Sequence, residues 1–244
     1  MTAAGAEETT ALQGLTVLVA GASSASGRAV CGALAAGGAT VVAVGSDAAR
    51  LETALGSVPG AELRTCDLSR PGDVGNLAAD LQETHGGIDG LLHLVGGWRG
   101  GKTLTGQSDA DWDFLQTHIL TTLRNTSRSF YDQLAASPRG RLAIVSSTAV
   151  DAPTPGNANY AAAKAAAETW VQAIAAGFTG TGAAAAVFVV KALVDEAMRA
   201  AEPERAFPDF TDVAELGRAA VRLFTTPAEP LNGRRISLLP SDYV

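Results

Sequence analysis

Residues 15–27 read LTVLVAGASSASG. Leu15–Ala20 is a short apolar run rich in β-branched side chains, the pattern of a buried strand. Gly21–Gly27 follows at once as Gly-x-x-x-Ala-x-Gly, and Ala29–Ala36 then reads as an apolar helix stopped by Gly37 and Gly38. A turn placed there lets backbone N–H groups and a helix N-terminus face a pyrophosphate. Glycine permits a close approach that a side chain would block. Gly21, Ser23, Ser24, Ala25, Ser26 and Gly27 are therefore the candidate phosphate cradle. Ala25 stands where a second glycine is expected, and its methyl narrows the approach. The same motif also serves as a helix-packing turn, but its place between first strand and first helix favours the binding reading.

Downstream, strands and helices alternate. Thr40–Val44, Glu62–Thr65, Gly90–Val95, Arg141–Ser146, Ala184–Val190 and Arg235–Leu239 read as strands. Ala48–Leu55, Val74–Glu83, Asn159–Ala176 and Val213–Phe224 read as helices, and Asp109–Ala135 as one long helix capped by Ser108 or Asp109. This alternation predicts an α/β fold: a doubly wound, Rossmann-like parallel sheet with helices on both faces. Nothing divides the chain, so residues 14–244 are expected to form a single domain after a flexible tail at 1–13.

Composition narrows the function classes. Hydrophobic residues make up 47% and charged residues 18% of the 244, which argues against disorder. A net charge of -7 disfavours a nucleic-acid partner. Cys31 and Cys66 form no C-x-x-C pair and suit a reducing cytoplasmic setting. His85, His93 and His118 have no metal-ligand spacing, so no metal is expected. Residues 1–13 lack the apolar core of a signal peptide, and no apolar run is long enough to span a membrane.

Three residues carry candidate chemistry. Tyr160 and Lys164 lie four apart, on one helical face. A free tyrosine is a poor base at neutral pH, and a nearby ammonium favours its phenolate. Tyr160 is then able to exchange a proton with a carbinol or carbonyl oxygen while hydride moves to or from a nicotinamide, and Lys164 is also placed to hold the nicotinamide ribose. Ser147 ends a strand and is placed to hydrogen-bond the reacting oxygen. Asp67 follows the third strand and is a candidate partner for an adenine amino group. Ser46 lies where the adenosine ribose belongs. There Asp47 points toward NAD and Arg28 or Arg50 toward NADP, so the cofactor form stays open.

On these residues the sequence resembles the short-chain dehydrogenase/reductase family from about Gly14 to Pro240. The resemblance implies an NAD(P)-dependent oxidoreductase with a carbonyl or secondary-alcohol substrate. It assigns phosphate binding to the Gly21–Gly27 turn, adenine contact to Asp67, and catalysis to Ser147, Tyr160 and Lys164. The family's Asn-Asn-Ala-Gly segment reads His93-Leu94-Val95-Gly96 here, keeping Gly96 as a cofactor-binding candidate. Its helix asparagine aligns with Ile119; the adjacent His118 ring is expected to point elsewhere on the helix. Its Pro-Gly pair reads Ala192-Leu193. These departures keep open a non-catalytic, dinucleotide-binding regulatory protein.

On the substrate side, Trp98, Arg99 and residues 150–157 leave the carboxyl ends of strands, where such sheets bind ligands. Leu193–Phe210 is expected to be a mobile lid, with Met198, Phe207 and Phe210 as apolar contacts. The Tyr160 helix carries alanine on nearly every face. It is expected to pack against the Asp109–Ala135 helix of a second copy in a homodimer or homotetramer.

Overall fold

The computed structural model describes residues 11–56 and 58–243. In chain order the elements are β1 (Thr16–Ala20), α1 (Ala25–Ala36), β2 (Thr40–Gly45), α2 (Ala48–Leu55), β3 (Ala61–Thr65), α3 (Pro71–His85) and β4 (Gly90–His93). Then come α4 (Asp109–Leu115), a π-helical segment (Gln116–Thr121), α5 (Thr122–Ala136), β5 (Arg141–Ser147), α6 (Ala158–Phe178) and β6 (Ala184–Val190). The chain closes with β7 (Leu193–Val194), α7 (Glu196–Ala201), β8 (Thr211–Asp212), α8 (Val213–Thr225), α9 (Ala228–Leu231) and β9 (Arg235–Ser237).

The main sheet is the expected parallel one, seven strands in the order β3-β2-β1-β4-β5-β6-β9. Strand side chains alternate between its faces. On one face Leu18, Ala20, Val42 and Leu91 pack with Val74, Leu123, Phe130 and Val171 of α3, α5 and α6. On the other, Val17, Val19, Val41 and Leu92 pack with Val30, Leu34, Leu51 and Leu216 of α1, α2 and α8. The order reverses between β1 and β4, and the crevice above that switch point is where open α/β sheets bind ligands.

Local chemistry sets the helix starts facing this crevice. The Ser24 hydroxyl caps α1 by accepting from Gly27 N, and Asp47 caps α2 by accepting from Arg50 N. Ser108 caps α4 and Asp212 caps α8. Among the described residues, no helix is long and apolar enough to cross a membrane, and no cluster of His, Cys, Asp or Glu is suited to hold a metal.

Three expectations need correction. Residues 11–13, read as part of the tail, form a turn that buries Leu12 completely and bonds its N–H to Gly37 O. Residues 1–10 lie outside the described residues. The helix read as continuous over Asp109–Ala135 is interrupted by the π-helical segment, whose wider turn shifts the register of side chains after it. The segment read as a lid, Leu193–Phe210, contains β7 and α7, and β7 pairs in a separate two-stranded parallel sheet with β8, which follows the segment. Its Phe207 is buried, with an edge-on contact to Phe210 at 5.6 Å and Arg205 4.7 Å over its ring.

Candidate active site

A cavity of about 940 Å³ opens at the carboxyl ends of β1, β4, β5 and β6. Ser23, Ser24, Ser26, Ser46 and Arg50 line one end; Trp98, Ser147, Tyr160, Lys164, Lys191 and Leu193 line the other. Gly96 lies between them. No carboxylate lines this cavity among the described residues, whereas Arg50, Lys164 and Lys191 do. These three side chains put N–H donors on the cavity wall that an anionic ligand can use.

The glycine turn is built as a cradle. Gly21 has φ +82°, and a Cβ there would lie 3.0 Å from the Leu94 carbonyl carbon and the Val95 nitrogen. A Cβ on Gly27 would lie 2.5 Å from the carbonyl oxygens of Gly21 and Ala22. Both glycines are therefore required by the protein's own backbone, before any ligand is considered. Ser24 is spent on the turn: it donates to Gly21 O at 2.9 Å and accepts from Gly27 N at 3.0 Å. The N–H groups of Ala25 and Ser26 begin α1 and point out of its first turn, free to bind an anion.

Asp67 lines a smaller adjoining pocket of about 210 Å³ with Gly21, Ser23, Ser46 and Leu68. Its Oδ1 accepts from the Ser69 N–H and hydroxyl, at 3.0 and 2.7 Å. These bonds are the main reason its carboxyl is held below the usual range. Asp47, the acid that pointed toward NAD, uses its carboxylate to cap α2 and pairs with Arg50 at 3.5 Å.

The last three residues of β5 meet the polar side chains of α6. Ser147 and the Tyr160 phenol line the same wall of the cavity, and the Ser147 oxygen accepts from Ala149 N at 3.2 Å. The Val145 carbonyl accepts from Lys164 Nζ at 2.7 Å. The Ser146 hydroxyl donates to Glu168 Oε1 at 2.5 Å. Burial pushes the Tyr160 pKa up, with Ser147 offsetting part of that rise. Lys164 Nζ lies 5.8 Å from the Tyr160 ring centroid. Burial lowers the lysine pKa to about 8, against an upward pull from Glu168. A side chain on Gly96 would begin 3.7 Å from Lys164 Nζ, so this glycine keeps the centre of the cavity open.

The departures from the family pattern have structural answers. His93 is buried, with Nε2 3.1 Å from Thr122 Oγ1 and Nδ1 3.2 Å from Thr126 Oγ1, which ties β4 to α5. Ile119 is buried in the core beneath Gly96. His118, expected to turn away, lines both cavities. Its ring stacks on Phe114 at 4.1 Å, and its Nδ1 donates to Phe114 O at 2.8 Å. A carbonyl only accepts, so Nδ1 carries a proton. The π-helical segment that contains His118 changes the face on which it projects.

On the substrate side, Trp98, Ala152, Asn157, Ala192 and Leu193 line the cavity, as does Lys191, which pairs with Asp209 at 3.0 Å. Arg99 does not; it lies 3.9 Å over the Phe114 ring. Met198, Phe207 and Phe210 also do not line it. Lys191, Glu168 and Arg235 escaped the sequence reading, because isolated charges carry no motif.

The sequence profile of the short chain dehydrogenases matches residues 15–205. A short chain dehydrogenase of Pseudocercospora fijiensis is 29% identical over 177 residues, which cover 70% of this chain and 57% of that protein. Nodulation protein G of a Rhizobium species is 28% identical over 237 residues, covering 92% of this chain and 95% of that protein. Among solved structures, a gluconate 5-dehydrogenase of Burkholderia cenocepacia in complex with NADP and tartrate superposes with a TM-score of 0.81 at 21% identity. That match covers 95% of each chain and bears on the fold alone.

Proposed function

This chain belongs to the short chain dehydrogenase family, and from that premise we propose that it is an NAD(P)-dependent oxidoreductase acting on a carbonyl or secondary-alcohol substrate. The observation that carries the reading is the meeting of Ser147, Tyr160 and Lys164 on one wall of a cavity whose far end is the α1 cradle. The nicotinamide ring, when bound, supplies or accepts the hydride. The chain's own groups do the rest. Ser147 holds the reacting oxygen. Tyr160 gives its phenolic proton to that oxygen in reduction and takes a proton from it in oxidation. Lys164 supplies positive charge at the phenol and a donor toward the nicotinamide ribose. Gly21–Gly27 and the N–H groups of Ala25 and Ser26 would hold the pyrophosphate, and Asp67 would accept from the adenine amino group.

The same reading places the chain in the cytoplasm, in keeping with the free, buried Cys31 and Cys66. It is also a homodimer or homotetramer. A second reading, dinucleotide binding without turnover, draws support from Ile119, an apolar side chain where the family carries asparagine. One comparison separates the two. Tyr160→Phe should lower turnover by about 10³-fold while dinucleotide affinity, measured by calorimetry, stays near wild type. A wild-type rate in that variant would remove Tyr160 from the chemistry; dinucleotide binding with no turnover of any carbonyl or alcohol tried would favour the second reading.

A further inference from the structure

Tyr160, Lys164 and Glu168 recur every four residues, so they share one face of α6. All three meet the end of β5, at Ser147, Val145 and Ser146 in turn. The first two belong to the proposed chemistry; the third does not line the cavity. Glu168 is nonetheless 8% exposed, an unusual place for a carboxylate. Such burial is tolerated only with good partners. It has two: Ser146 on Oε1, and Arg235 Nε at 2.9 Å from Oε2. The Arg235 guanidinium is itself fixed by a two-pronged pair with Asp151, both bonds at 2.8 Å. β9 and the loop after Ser147 thus hold this carboxylate in one place beside the lysine.

We propose that Glu168 is a positioning residue for Lys164: its fixed negative charge, one helical turn away, keeps the buried lysine an ammonium. The inference rests on the catalytic reading of Lys164. The other ionisable groups around this lysine are Tyr160 on its own helix, His93 from β4, and His118 and Lys191 on the same cavity. Burial keeps His93 neutral. Arg235 and Asp151 lie behind Glu168 and neutralise each other in part. Glu168 is therefore the anion that opposes the loss of the Lys164 proton.

The chain contains three lysines, Lys102, Lys164 and Lys191, so [ε-13C]lysine labelling gives a spectrum with few signals to assign. The whole chain is titrated without substrate or dinucleotide. Lys164 is expected to titrate near 8 in the wild type. Glu168→Gln keeps the shape and removes the charge; the Lys164 titration should fall by about one pH unit while Lys102 and Lys191 stay put. Glu168→Asp, which keeps the charge, should restore most of it. Arg235→Gln, at a partly exposed position, removes the compensating cation and should move the titration upward, which keeps the test open even if Glu168→Gln does not fold. An unchanged Lys164 titration in folded Glu168→Gln or in Arg235→Gln overturns the proposal. Because no turnover is read, that failure is distinct from failure of the catalytic reading, which Tyr160→Phe decides.

Discussion

A phenol whose pKa is raised by burial is a proton donor at neutral pH, and Tyr160 is in that condition. The resting phenol therefore holds the proton that reduction of a carbonyl consumes. The lysine beside it has its pKa lowered to about 8, so its charge is present below that pH and lost above it. Reduction should be level from pH 6 to about 7.5 and decline as pH rises through about 8. A kcat/KM profile with no break until pH 10 would refute this. The adenosine end allows a second prediction. Asp47 is engaged as the cap of α2, while Ser46 and Arg50 line the cavity. A guanidinium there favours a 2′-phosphate. NADPH should bind at least about tenfold more tightly than NADH, and Arg50→Ala should erase most of the difference, a change of about 1.4 kcal/mol; equal wild-type affinities by calorimetry would refute it. Spacing alone made Tyr160 and Lys164 neighbours, because residues four apart share a helix face, while Ser147 joins them on the cavity wall through the end of β5. Spacing could not show Glu168, which reads as an ordinary surface charge until β5 and β9 bring Ser146 and Arg235 to it.

The elements were legible where apolar periodicity is regular, hence the strands from β1 to β6 and the helices between them. The interruption of α4–α5 was not. A π-helical turn at Gln116–Thr121 leaves no mark in composition, and it put His118 on the cavity against the expectation from a 3.6-residue period. The segment after β6 failed for another reason: Met198, Phe207 and Phe210 are apolar and near the site in sequence, yet Phe207 is used to pack the segment on itself. The tie between β4 and α5 makes a testable statement about stability. His93 is buried between Thr122 and Thr126, and burial lowers its pKa to about 3. The unfolded chain takes up that proton more readily than the folded one. The stabilisation is full above about pH 6.5 and is lost as pH falls, by about 1.4 kcal/mol per unit, toward the folded value. Between pH 6.5 and 5.5, His93→Asn should lose about 1 kcal/mol less stability to urea than the wild type does, because the unfolded imidazole is only half protonated at the start of that interval. Equal losses in the two proteins would show that His93 is not the group responsible.

At the scale of the molecule, both faces of the sheet are covered, yet α6 retains apolar surface on its outer side. Ala162, Ala166, Ala173 and Ala176 are exposed there, although a helix lying on a sheet needs only one apolar stripe. Beside them, Ser127, Arg128 and Tyr131 of α5 and Trp170 and Ile174 of α6 border a surface groove of about 270 Å³. Gly177 lets the two helices close up at this point, since a Cβ there would collide with the Tyr131 hydroxyl. Alanines allow a second helix to approach closely, and a two-fold axis through this face would set α5 and α6 of one copy against those of another. Such pairing would also stiffen the helix that carries Tyr160, Lys164 and Glu168. A charge at the centre of the face should break it, because an unpaired charge in a buried interface costs several kcal/mol. Light scattering of the wild type at tens of micromolar should give a multiple of 24.7 kDa, and Ala166→Glu should return it to that mass with its circular dichroism unchanged. A wild type that stays at 24.7 kDa as concentration rises would leave the alanine face without a partner.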